Sequence, residues 1–557
     1  MRFGKLLACT SAALLPLGFL LRLPIDARAV DTHSIQTIAA SSFSNPPHII
    51  RIVLPVDLQV RGSGASDQSE AAQKHWERGQ ELAGAGNLTE ATAEFRQAVA
   101  LAPNNPRYLA TLGAALAQQQ NLDEAVRYFD RARKADPSNV AVLQNLAAAQ
   151  WQLGRLREAE TNLRQILKLD PNNREAPLIL GMVLENLGEY SSAAKLLSSV
   201  PERVKTHPES TAALLHSYYE TARVKEAHRL EDDLLTDPKD AQSIFLCATV
   251  AVRARDFPAA EKMLSAIRDV SPDPVEIDYE LALVRYGAGH YSEAEQILQK
   301  LIEQSGQSSR YFNLIGWCLA KETKIHEAVK AFDRAIDLDP KKVANYVDLA
   351  TVLMDADLLP AALEAANKAV EVDPNSYPAQ RIAGQIQTRQ HNYEAALQSY
   401  TRAAELNRND AGASLDLAES QAAAGRFDDA CSTLDQSIKK FPRASQLYYH
   451  YALILLYPTG ADDPKRQSKA IALLQQALAL DNSIAGAHYE LGNLWLQQGQ
   501  SLKSLNELQA AAKLDPSDSK THYALWSVLR KLDRKQQAED ELQVFKKLKS
   551  QESAGPQ

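Results

Sequence analysis

The stretch PRYLATLGAALAQQQNLDEAVRYFDRARKADP, residues 106–137, decides the reading of this chain. Leu112, Gly113 and Leu116 fall on one face of a first helix, and Ala125, Phe129 and Ala132 on one face of a second, by the three- and four-residue spacing that helical side chains share. Asn121 stands where the second helix would be capped, and Pro137 where it must stop. The layout then recurs. Glu90-Ala91, Glu124-Ala125 and Glu158-Ala159 are 34 residues apart, and so are Pro103, Pro137 and Pro171. A 34-residue period with this punctuation means helix pairs stacked in an array.

These residues resemble the tetratricopeptide repeat family, whose pattern has a small residue at the eighth position, Ala at the twentieth, an aromatic at the twenty-fourth and Pro at the thirty-second. Gly113, Ala125, Phe129 and Pro137 match it in the second unit, and Gly316, Ala328, Phe332 and Pro340 in the eighth. The resemblance implies an all-α fold, a right-handed superhelical solenoid of antiparallel helix pairs. Small residues let the two helices approach, and the larger side chain is expected to fill the gap to the next unit.

Carried along the chain, the twentieth-position slot falls at Ala91, Ala125 and Ala159 and continues through Ala430, Ala470, Ser504 and Ala538. Residues 72–549 then hold about 14 units of 34 residues. The match weakens in the fifth unit, where Glu231 takes the aromatic slot, near 200–208, and at 457–464, where about six extra residues enlarge a turn.

Outside the array, Arg2 and Lys5 precede an apolar run from Leu6 to Leu21, then Pro24 and Ala27-Arg28-Ala29. This is the layout of a secretory signal peptide over residues 1–29, with an exported, periplasmic or secreted product. Membrane contact is expected only if that segment stays uncleaved. Residues 30–71 read as a linker or arm. Within it, residues 50–60 alternate apolar and mostly polar side chains, a strand signature weakened by Pro55. Residues 550–557 read as a disordered tail.

Composition narrows the function. The 557 residues carry 61 Lys plus Arg against 69 Asp plus Glu, a formal charge of −8, with no basic footprint for nucleic acid. Cys9, Cys247, Cys318 and Cys431 lie at no metal or redox spacing, and the last three read as small buried hydrophobes. Phosphate-loop, dinucleotide-turn, nucleophile-elbow and zinc-helix motifs are missing. His326-Glu327 starts the last of these, but Lys330 stands in place of its second histidine. His75, His488 and His522 share the fourth repeat position and read as packing residues. Asp462-Asp463 reads as a solvated turn. No enzyme, cofactor or metal is expected.

Function must then lie in a surface. In the family, positions 2, 5, 9 and 12 of each first helix face a concave groove, and here that stripe carries Trp151, Met182, His216, Tyr219, Phe245, Tyr279, Tyr286 and Trp317. The resemblance implies a non-catalytic scaffold that binds extended peptide or partner segments in an aromatic-lined groove, and the leader layout implies that it is exported. The alternatives are a subunit of a cell-envelope machine for polysaccharide or pilus export and, behind that, the substrate-binding arm of an enzyme complex. A chaperone-tail carboxylate clamp is not expected, because Tyr489 replaces the lysine that should precede Asn493, and Ala110 and Ala114 precede Asn145.

Overall fold

A computed structural model describes residues 67–237, 240–456 and 463–554. Among them every regular element is a helix, 29 in all, and no strand occurs. They form fourteen antiparallel pairs plus one short helix, Pro201–Val204. Seven pairs belong to an N-terminal unit ending at Gln307, and seven to a C-terminal unit beginning at Ser308. Each unit by itself is an all-α solenoid in which neighbouring pairs bury apolar clusters between them.

The expected leader and the 50–60 strand lie outside the described residues, as do residues 457–462 of the enlarged turn. Two boundaries shift. Helix Asp67–Gly84 starts five residues ahead of the expected array, and helix Lys535–Ala554 continues through residues read as tail. The irregular boundary near 200–208 is the extra helix, tied down where the Ser210 and Thr211 hydroxyls donate to the Val204 carbonyl at 3.0 and 2.9 Å.

Helix ends follow from local chemistry, though one expected cap is displaced. Asn105 accepts from the Arg107 and Tyr108 amides at 3.0 and 3.4 Å, with Pro106 in the first turn. Asn121 occupies the cap position of helix Leu122–Ala135 but its side chain makes no cap bond. The Asn121 amide instead donates to the Leu116 carbonyl, closing the turn between the two helices of the pair. Asp463 caps helix Pro464–Leu480 through the Lys465 amide.

The slot register holds throughout. Ser504 and twelve of the thirteen alanines at the twentieth position are fully inaccessible, and the thirteenth, Ala538, is nearly so. The aromatic slot packs differently from expectation. A Cβ added to Gly113 would lie 2.8 Å from the Phe129 ring, and Gly316 faces Phe332 and Gly79 faces Phe95 in the same way. The ring fills the space over the glycine of its own pair, where a hydrogen lets the helices approach.

Among the described residues, the turns within pairs use a left-handed residue. Glycine supplies it at Gly86, Gly154, Gly188, Gly289, Gly425 and Gly499, whereas Gln120, Ala222, Thr323 and Asp357 adopt φ of 63°, 56°, 62° and 58°. Ala222→Gly should raise stability by about 0.5 to 1 kcal/mol, the relieved left-handed strain less glycine's added chain entropy. A urea midpoint no higher than wild type would contradict this.

Candidate functional site

Half of the expected aromatic stripe is buried and half is partly exposed. Trp151, Met182, Tyr286 and Trp317 are buried. Trp317 stands edge-on to Phe332 at 5.9 Å, and Trp151 and Met182 belong to the core of the N-terminal unit. His216 is partly buried, its Nδ1 2.6 Å from Glu185 and its ring against Tyr190. Phe245 is half-buried against the core, and Tyr279 is half-buried.

Tyr219 explains the odd fifth unit. Its hydroxyl donates to Glu231 at 2.6 Å and to Asp256 at 3.1 Å, and His228 Nε2 lies 2.7 Å from Asp256. Leu215 stands at the eighth position of this unit, where Gly113 stands in the second, leaving no hollow for a ring. The slot holds a buried carboxyl, pushed up by burial and satisfied by Tyr219.

The packing histidines follow a similar rule. His488 and His522 are buried and reach Glu507 and Glu541 at 2.7 and 2.6 Å, while their other nitrogens face the Asn482 and Pro516 carbonyls. His75 makes the same contact with Glu94, although its side chain is 40% exposed. Cys247 and Cys318 are buried free thiols, whereas Cys431 is only half-buried.

A pocket in the C-terminal unit was not anticipated. Helices Tyr377–Arg389, Ala411–Ala423 and Ser445–Leu456 are the first helices of three successive pairs. Among them opens a small pocket of about 50 Å³. Thr388, Tyr400, Asp416, Glu419, Ser420 and His450 supply its polar lining. Ala422, Ala423, Leu453 and Ile454 form the apolar wall.

Its electrostatics lean negative. Asp416, Glu419, Ser420 and Ala423 share one helical stripe by their spacing. Arg381 Nε donates to Asp416 at 2.5 Å, and His450 Nδ1 lies 2.5 Å from Glu419. Burial, with repulsion from Glu419 and Asp410, pushes the Asp416 carboxyl above its usual range despite Arg381. Burial also keeps the Tyr400 hydroxyl protonated well beyond its ordinary value, and Asp416 adds to the effect. The Ser420 hydroxyl is buried and meets no hydrogen-bond partner among the described residues. Such an arrangement offers acceptors to a donor. No group of three acidic, histidine or cysteine side chains among the described residues is placed to hold a metal.

Family models match successive stretches of the chain. One described as "Tetratricopeptide repeat protein 21 second ARM domain" matches residues 87–314. Three described as "Tetratricopeptide repeat" match residues 309–342, 347–414 with 468–519, and 387–454. The chain is a tetratricopeptide repeat protein. Protein NPGR1 of Arabidopsis thaliana is 30% identical over 129 residues, 23% of this chain, and the chain spans 19% of that relative's length. The crystal structure of yeast Tom70 is 17% identical with a TM-score of 0.37, over 87% of this chain and 97% of that one. The structure of Naa15/Naa10 bound to HypK-THB is 15% identical with a TM-score of 0.37, over 84% and 91%.

In tetratricopeptide register the pocket is legible after the fact. Thr388 and Ala422 are twelfth-position residues, and Glu419 and Leu453 are ninth-position residues of their units. All four belong to the stripe that the family directs into its groove. A search of the stripe for aromatic rings passes over them. A search for an acid beside small and aliphatic residues in consecutive tetratricopeptide units would have found them.

Proposed function

We propose that this tetratricopeptide repeat protein is a non-catalytic, exported scaffold that binds extended partner segments along its first helices. The observation that carries the reading is the pocket among Tyr377–Arg389, Ala411–Ala423 and Ser445–Leu456, because three successive pairs contribute to it through stripe positions. A repeat array presents such adjacent sites in a row, which suits an extended chain.

Export rests on the charged start, the apolar run and Ala27-Arg28-Ala29. N-terminal sequencing of the protein from its native source should find Val30 or a near neighbour, and an intact Met1 on cytoplasmic material would refute export. Affinity capture from envelope fractions tests the scaffold. A partner held by the wild type should be lost on Leu453→Arg, which blocks the pocket wall. It should be kept on Leu502→Arg, whose side chain is 63% exposed on a second helix. Equal capture by both variants would place partner binding elsewhere.

A further inference from the structure

The Ser420 hydroxyl is the starting point. It lines the pocket and is 2% exposed, yet it has no hydrogen-bond partner among the described residues. A buried hydroxyl left unpaired is costly, so a donor arriving from outside would recover that loss. Glu419 sits one residue before it on the same helix, 29% exposed, with Asp416 one turn earlier. Neither Lys nor Arg is among the residues that line the pocket. The nearby cations are engaged, Arg381 with Asp416 and His450 Nδ1 with Glu419 when that ring is protonated. With the imidazole neutral, two carboxylates face one guanidinium at a low-dielectric wall, which favours a further positive charge.

Shape adds a second requirement. Leu453, Ile454 and Ala422 are apolar and close the pocket on one side. A compact cation alone would leave that wall against water. A charged head carried on a flexible aliphatic stem satisfies both halves, the head at Glu419 and Ser420 and the stem along Leu453 and Ile454. We infer that this pocket is a subsite for one basic side chain, arginine or lysine, of an extended peptide. The inference rests on the scaffold reading above and names the chemistry of one of its contacts. An acidic segment is disfavoured here by the same carboxylates.

The test uses the full chain and fluorescently labelled, capped alanine hexapeptides that carry one central arginine, lysine, glutamine or norleucine. At low ionic strength the arginine or lysine peptide should bind at least about tenfold more tightly than the glutamine and norleucine peptides, as expected for a charge-assisted hydrogen bond. Added salt should weaken that preference. Whichever of arginine and lysine binds more tightly identifies the head group. Glu419→Gln should abolish the preference. Ser420→Ala removes an unpartnered hydroxyl, so its melting temperature should equal or exceed wild type while basic-peptide binding falls about threefold to tenfold. That split is not expected of a residue with only a packing role.

Equal binding of the basic and neutral peptides would overturn the subsite, as would no binding of any peptide. A preference that survives both substitutions would overturn it as well. If the subsite fails while export and partner capture stand, only this contact is lost. If capture fails, the peptide preference is still measured on the purified chain.

Discussion

Gly113→Ala should destabilise the second helix pair by about 1 to 3 kcal/mol, and Phe129→Leu in the same chain should recover much of the loss. The new methyl would sit 2.8 Å from the Phe129 ring, and Phe129 is fully inaccessible, so the ring has no open space to move into. The chain itself shows the compensation. Gly79, Gly113, Gly316 and Gly384 face Phe95, Phe129, Phe332 and Tyr400. In units where the eighth position is Ala147, Ala248, Ala282 or Ala418, the twenty-fourth is Leu163, Leu264, Leu298 or Leu434. In those units an alanine and a leucine take the place of a glycine and a ring, while Gly181 and Gly492 face Leu197 and Leu508. Urea unfolding of the two single variants and the double variant, with amide exchange over residues 106–135, measures the coupling. Additive losses would show that the two side chains do not share the crossing.

The second large effect is expected at Arg381. Arg381→Ala should cost about 2 to 3 kcal/mol, less than the 3 to 5 typical of a fully buried pair because the Arg381 side chain is 43% exposed. Asp416 is left 16% exposed with its carboxylate uncompensated and Glu419 close by. The sign with pH follows. Burial already raises the Asp416 carboxyl, and losing the cation raises it further, so the folded variant holds its proton to higher pH than the folded wild type. The deficit should therefore be full at neutral pH and shrink as pH falls through the raised range of Asp416. Asp416→Asn in the Arg381→Ala background should restore much of the stability at neutral pH and flatten that dependence. A deficit independent of pH would mean that Arg381 contributes by packing its stem rather than by its charge.

How much could be read beforehand differs between the fold and the site. Period, register and most helix ends were legible because each depends on residues within a few positions of one another. Ala125 is buried because Phe129 and Ala132 share its stripe, and the same reasoning carried to Ser504 and Ala538 without error. The cap is where local reasoning slipped. Asn121 has the right residue type, but its amide closes the turn to Leu116, and its side chain makes no cap bond.

For this protein the sequence alone determined the all-α repeat, its fourteen pairs and the buried small-residue slots, since helical spacing and volume act over one pair. Only the tertiary structure decided which stripe residues meet solvent. Trp151 and Trp317 are buried whereas Glu419 opens onto a pocket. The deciding partners are one unit away: Glu419 meets His450, Asp416 meets Arg381 and His216 meets Glu185, at separations of 31 to 35 residues. A residue's own type sets what it can bond. Whether it is covered depends on how the neighbouring pair packs across it, and no local spacing encodes that.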